Sequence, residues 1–340
     1  MAKKSKTALG IFTESIGLYF SNADKFIKYM TFPVLGQIAG LTLVFLLTLF
    51  YSKQMPTLIV KFPSLNNFSL LATLAILVML PGFILFAKAF WEYLIAYGAV
   101  NSMHENMLKS GKVYDFDAHT ELIKRRSVSF ICLWLLFGIF SLLAINPFLW
   151  VPCGVLAVFF VLIFQVFTYE PELSPIGCAK KSLNLIKGHF ASTFLLLALV
   201  GALTYILIPQ VINYFLEFTK VLDILSAMVL PLVLELPIAD FNSYLTQLHI
   251  PALEPKGIAL FIITTTITQI LIQYTLPLRS ILWGMWYREL NGNLPKTIEK
   301  PKKSRAKKAS EKLMEQSHKK FATKKLDKNI LKRAMEKDDD

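Results

Sequence analysis

Apolar side chains run along this chain in long, nearly unbroken blocks, not at the intervals that mark one buried helix face. Six blocks stand out, at 31–51, 68–87, 128–145, 148–168, 190–209 and 257–278. Each is close to the roughly 18–20 apolar residues that cross a bilayer as a helix. The pattern predicts an all-α integral membrane protein with six transmembrane helices. The second block is the hardest to bound, because apolar character continues from Phe68 to Val100, broken only by Pro81-Gly82, Lys88 and Glu92. One helix of that length rises about 50 Å, more than the hydrocarbon core. The expected solution is a helix kinked near Pro81 whose end, through Trp91 and Tyr97, leaves the lipid with Lys88 snorkelling at the interface. The alternative moves the span to 82–103 and buries Lys88 and Glu92. Region 219–238 is also apolar, but Asp223, Pro231, Glu235 and Pro237 oppose a crossing. It reads as an outside segment lying on the membrane or dipping into it.

The polar bridges between blocks alternate in charge. Lys3, Lys4, Lys6, Lys25 and Lys28 precede the first span; Lys109, Lys112, Lys124, Arg125 and Arg126 follow the second; Lys180, Lys181 and Lys187 follow the fourth. The other bridges hold Lys53 and Lys61, nothing around Pro147, and Lys220 against Glu217, Asp223, Glu235, Asp240 and Glu254. Lys and Arg are retained on the cytoplasmic side, so both termini are expected there. The first sustained apolar run starts near Thr31, too late for a cleaved signal peptide, so the first span is expected to stay in place.

Three of the basic bridges have helical periodicity of their own. In FTYEPELSPIGCAKKSLNLIKGHF, at 167–190, Ser174 is a natural cap and Pro175 suits the first turn. Ile176, Ala179, Leu183 and Ile186 then recur at steps of three and four, Lys180, Lys181 and Lys187 take the other faces, and Gly188 supplies a stop. This predicts an amphipathic elbow helix in the cytoplasmic interface, with lysines set for anionic headgroups. DFDAHTELIKRRSVSF at 115–130 repeats the arrangement, with Asp117 as cap and Leu122 and Ile123 on the apolar side. So does the stretch with Leu9, Phe12, Ile16 and Tyr19 before the first span. Elbow plus membrane hairpin, three times, accounts for residues 1–295.

The 167–190 elbow, the earlier YGAVNSMHENMLKSGKVYDFDAHTELIKRRS and the late PLRSILWGMWYREL together resemble the six-helix membrane domain that accompanies some bacterial glycerophosphodiester phosphodiesterases. They are similar, too, to uncharacterised integral membrane proteins that carry this domain alone. Lys181-Ser182 matches that group's basic-serine pair, and Tyr287-Arg288 matches the end of its last span. The resemblance covers roughly residues 10–292 and not the soluble barrel that performs hydrolysis in those enzymes. It implies a fold, a bacterial cytoplasmic (inner) membrane and a membrane role, not that activity.

Composition agrees with an oily solvent. The chain is 54% hydrophobic and 17% charged with a mean hydropathy of +0.51, against about a quarter charged in soluble domains. Cys132, Cys153 and Cys178 are far apart and form no CxxC pair, so neither a disulfide nor a metal site is expected. His104-Glu105-Asn106 begins like a zinc helix, but Leu108 stands where the second histidine is needed. His249 sits outside, remote in sequence from other likely ligands, and is assigned no role. No nucleophile elbow, phosphate loop or dinucleotide fingerprint occurs. No enzyme activity and no cofactor is expected.

Four features remain as candidate chemistry. Lys88 and Glu92 share a helix face and would each cost about 2.5–3.5 kcal/mol at bilayer depth. Thr264, Thr268, Thr275 and Arg279 form a polar stripe on the last span, with Gln269 and Gln273 beside it. Such a stripe serves helix-to-helix hydrogen bonds or lines a solute pathway. Glu170 and Glu172 read as wetted turn residues at a membrane exit. Residues 296–340 hold 16 of the 36 Lys and Arg and carry +8 of the net +13, with sparse Leu326, Ile330, Leu331 and Met335. That tail reads as a solvated segment, an anchor for anionic lipid, or a nonspecific RNA or ribosome contact. The expected function is a non-enzymatic scaffold or accessory factor in envelope or lipid-related processes, with an unidentified protein partner. Its competitors are a small transporter or channel using the polar stripe with Lys88 and Glu92, and a membrane-insertion helper that recruits ribosomes through the tail.

Overall fold

Helix is the only repetitive structure among the described residues. The computed structural model describes residues 7–110, 113 and 116–292. They fall in one unit, Met1–Lys296; the other, Thr297–Asp340, and with it the lysine-rich tail, lies outside the described residues, as do the side chains of His104, Glu105 and Asn106.

Short turns and two sharp bends separate the helices. Helix α1, Ala8–Phe20, meets α2, Ala23–Lys61, at Ser21-Asn22; α3 runs from Phe68 to Ser110; α4, Phe116–Arg125, bends 79° into α5, Ser127–Leu143. A turn at Pro147–Leu149 leads to α6, Trp150–Phe160, and α7, Ile163–Tyr169. Then come α8, Pro175–Ile186; α9, Phe190–Gly201; a π-helical segment, Ala202–Leu207; and α10, Ile208–Phe218. Helix α11, Val221–Leu234, turns 86° into α12, Ile238–Gln247, and the described chain closes with α13, Pro255–Tyr274, and α14, Leu276–Asn291. Five helical stretches are long and apolar enough to cross a bilayer: Ala23–Lys61, Phe68–Met103, Pro147–Tyr169, Phe190–Phe218 and Pro255–Asn291. Counting each bent pair as one span raises the number to seven. Large apolar side chains stand exposed along their middles, among them Ile76, Leu77, Leu135, Ile139 and Phe261. A bilayer covers such a surface and water does not, which marks a multi-pass membrane protein.

Helix α3 is the long element expected. Its 43 residues, with Pro81 inside, span about 64 Å, and Leu94–Met103 carry most of its buried positions. That buried end belongs to a core gathered at one end of the molecule. Helix α14 lies in its middle, buried from Leu276 to Tyr287 at every position except Arg279. Helices α1, α3, α7 and α8 pack around it. All seven residues of α7 are buried.

The elbow helices form as their caps require. Thr7 Oγ1 accepts the Gly10 amide at 3.2 Å and starts α1; Ser174 Oγ accepts the Gly177 amide at 3.2 Å and, with Pro175, starts α8. Gly188 ends that elbow at φ 90°, where an L side chain would be strained. Asp117 proves to sit within the first turn of α4, which begins at Phe116, so it faces the positive end of the helix without being its cap. The protein-facing stripes of the elbows are only partly made of their apolar positions. Helix α8 buries Cys178, Ser182 and Ile186 and leaves Ile176 and Leu183 exposed; α1 buries Ile11, Ser15 and Tyr19 and leaves Leu9 exposed. At a membrane surface an outward apolar residue carries no penalty, so apolar periodicity reports the lipid face as readily as the protein face.

Helices α2 and α3 cross at small residues. Gly36 faces Ala89, Gly40 faces the backbone of Phe86, and Gly82 faces the backbone of Val44. This is the small-residue contact that lets membrane helices approach closely. At the far end Lys53 pairs with Glu235 at 2.9 Å, both half-exposed, a contact worth about 0–1 kcal/mol.

Candidate functional site

The last span breaks at Thr275, between α13 and α14, and Pro277 explains the break. Proline has no amide to donate and crowds the preceding turn, so carbonyls near it lose their helical partners. Side chains replace them. The Ile272 carbonyl accepts Thr275 Oγ1 at 2.8 Å and Arg279 Nη2 at 2.9 Å; the Tyr274 carbonyl accepts the Tyr19 hydroxyl of α1 at 3.1 Å. Side chains on a helix lean toward its N-terminus, and Arg279 follows that lean back to the level of Ile272.

The rest of the guanidinium lies among aromatic rings. Its central carbon is 4.7 Å from the centroid of Tyr205, carried on the π-helical segment. The Tyr93 hydroxyl stands within hydrogen-bonding reach of it, and the Tyr97 hydroxyl, one helical turn further along α3, interacts with it electrostatically. Nη1 is buried and makes no hydrogen bond. Among the described residues no carboxylate forms an ion pair with Arg279.

From Tyr97 a polar line continues to the elbow. Gln165 of α7 stands beside the Tyr97 hydroxyl, and its Nε2 donates to Asn101 Oδ1 at 3.1 Å. The Tyr169 hydroxyl donates to the Asn101 carbonyl at 2.6 Å, and its ring stacks on Tyr287 at 5.2 Å. Tyr287 donates to Glu170 Oε1 at 2.7 Å, which Lys181 approaches at 3.5 Å. Beside this line Arg126 donates to the Phe167 carbonyl at 2.5 Å and lies 3.9 Å over the Phe167 ring. Burial raises the neighbouring Cys178 thiol to about 11, so it stays protonated and unreactive near neutrality.

The chain matches no family model, no curated protein and no solved structure.

The sequence-predicted residues separate into three groups. Thr268 accepts Asn213 Nδ2 at 2.9 Å and Gln273 accepts Gln37 Nε2 at 3.1 Å, so both join helices; Thr264 bonds back to the Leu260 carbonyl of its own helix at 2.9 Å, and Gln269 is exposed. Lys88 and Glu92 stand apart from these. Lys88 is exposed, 5.6 Å over the ring of Phe32, and Glu92 meets Lys124 of α4 at 3.5 Å. On the elbow, Glu170 and Lys181 turn inward to Tyr287, while Lys180 and Lys187 are exposed beside Ile176 and Leu183. Sequence reasoning missed Gln37, Tyr93, Gln165, Tyr205 and Asn213. Gln37, Gln165 and Asn213 are lone amides inside apolar runs, and that was the available signal. Among the described residues no three His, Cys, Asp or Glu converge as a metal site would require.

Proposed function

We propose that this protein is a non-enzymatic scaffold or accessory factor of the bacterial cytoplasmic (inner) membrane, acting in envelope or lipid-related processes. It crosses six times with both termini in the cytoplasm, α5 supplying the sixth span and the elbow helices lying against anionic headgroups. The observation that carries the reading is the use made of the polar stripe. Thr268 and Gln273 are joined to neighbouring helices, and Thr264 and Thr275 to carbonyls of their own. A solute pathway needs such groups free to replace a hydration shell; bonds between helices instead fix a shape. Lys88 and Glu92, each engaged away from the stripe, favour the scaffold as well. The exposed row Ile176, Lys180, Leu183 and Lys187 on α8 suits a helix at a charged membrane surface.

Reconstitution and purification test the reading. Proteoliposomes should pass solutes no faster than empty vesicles, while extraction in gentle detergent from the native host returns a stoichiometric protein partner. A solute flux abolished by Lys88→Ala together with Glu92→Ala overturns it. In a Cys132→Ala background, Lys180→Cys should react only from the cytoplasmic face; labelling from outside overturns the topology.

A further inference from the structure

We propose that Arg279, with Tyr205, Tyr93 and Tyr97 around it, binds a phosphate-class anion: the headgroup phosphate of a phospholipid in the leaflet on the elbow side. The inference deepens the lipid-related reading above and rests on the chain being membrane-embedded.

The charge balance of the site points to an anion. Arginine stays protonated in any protein environment, and Arg279 has no carboxylate partner among the described residues. One nitrogen caps the Ile272 carbonyl and the Tyr93 hydroxyl stands within hydrogen-bonding reach of the guanidinium, whereas Nη1 is buried and meets no acceptor. A capping role for the broken helix explains Nη2 and leaves Nη1 unexplained. The tyrosine rings compensate incompletely, since a ring face attracts a cation more weakly than a charge-assisted hydrogen bond holds it. Their hydroxyls also supply O–H donors, the complement of phosphate oxygens.

Position selects the source of the phosphate. Ile272, the level to which the guanidinium reaches, lies about 26 Å along α13 from Pro255, close to the roughly 30 Å thickness of the hydrocarbon core. The guanidinium therefore sits where hydrocarbon meets headgroup on the elbow side. The site is also open sideways. Tyr205 is 52% exposed and Arg279 is only partly buried, so a lipid reaches it from the bilayer without entering the core.

Native mass spectrometry of the full chain, purified in gentle detergent and titrated with phosphatidylglycerol or with inorganic phosphate, tests the proposal. Wild type should hold one phosphatidylglycerol more tightly than any further copies, and Arg279→Gln should weaken that first binding about tenfold, the worth of one charge-assisted bond. Glutamine keeps an amide donor for the broken helix; if it nonetheless prevents folding, Tyr205→Leu, which leaves the helix break intact, should weaken binding about threefold. Unchanged lipid binding in a folded Arg279→Gln variant, or in Tyr205→Leu where that variant does not fold, overturns the proposal. Displacement of the lipid by millimolar phosphate assigns the site to a free anion and overturns the lipid as its occupant. A protein extracted from membranes by alkaline carbonate would instead sink the membrane reading itself.

Discussion

Adding one methyl group at Gly40 should force α2 and α3 apart. A Cβ built there lies 2.5 Å from the amide nitrogen of Phe86, 2.8 Å from its Cα and 2.9 Å from its Cβ, where ordinary contacts fall at 3.4–4 Å. Two of these three are backbone atoms of another helix, so no rotamer change relieves them and the axes must part by about 1 Å, enough to forfeit a quarter to a half of each dispersion contact across the crossing. Overpacking costs about 1–3 kcal/mol, here the upper part of that range, about 2–3 kcal/mol, because the atoms met are backbone, and the better helix propensity of alanine returns about 1 kcal/mol. Gly40→Ala should therefore destabilise by about 1–2 kcal/mol and Gly40→Val by more. Gly82 approaches the same crossing, since its added Cβ would lie 2.7 Å from the Val44 amide nitrogen and 2.9 Å from the Gly40 carbonyl oxygen. Once the helices have parted for one methyl the second meets less resistance, so the double variant should cost less than the sum of its parts. Gly138 of α5 has nothing within 4 Å of an added Cβ and serves as the control; Gly138→Ala should be neutral or stabilising by up to about 1 kcal/mol. Reversible unfolding in mixed micelles of rising SDS fraction, followed by tryptophan fluorescence, measures all four. A Gly40→Ala protein as stable as wild type, or a Gly40→Val protein no worse than Gly40→Ala, would refute the close-contact argument.

Two further changes probe the elbow. The Cys178 thiol is raised to about 11 by burial, above its ordinary value of about 8.5; the fold favours the neutral form, so this stabilisation is complete below about pH 8.5 and disappears as pH rises toward 11. Wild type should accordingly lose on the order of 2 kcal/mol more than Cys178→Ala over that interval, and parallel pH profiles of the unfolding midpoint would show the thiol to be uninvolved. Tyr287→Phe removes a hydroxyl that donates to the Glu170 carboxylate at 2.7 Å and should cost about 1.5–3 kcal/mol. In a double-mutant cycle with Glu170→Gln, coupling no larger than about 0.3 kcal/mol would mean the pair contributes nothing beyond packing.

The features that could be read ahead of the structure were those set by a few consecutive residues. Ser174-Pro175 starts a helix and Gly188 stops it because cap and turn chemistry act over one turn. That α3 outruns the bilayer was legible for a similar reason, as no proline follows Pro81 within it. Which elbow residues pack on protein was not, because both lipid and protein accept apolar side chains and the spacing of Ile176 and Leu183 fits either. Asp117 was mistaken for a cap because a first-turn acid and a capping acid look alike when the helix start is uncertain by one residue. The polar stripe was visible as residue types, yet its partners Gln37 and Asn213 lie 236 and 55 residues away, beyond any local rule. The GQIAG stretch at 36–40 carried its own signal, two glycines four apart on a membrane helix, and the Gly40 contact shows what that spacing is for.

The central place of the broken last span, α13 with α14, has a consequence for how the protein is made. Tyr19, Gln37, Glu170 and Thr193 find their partners at Tyr274, Gln273, Tyr287 and Trp286, all synthesised after every helix those four residues belong to. Earlier hairpins must therefore enter the bilayer and wait there with these groups unsatisfied, so that insertion and closure become separate events in biogenesis. A nascent chain halted at residue 272 would be threaded through the membrane yet open at one end, a natural substrate for quality-control proteases until its final helix arrives.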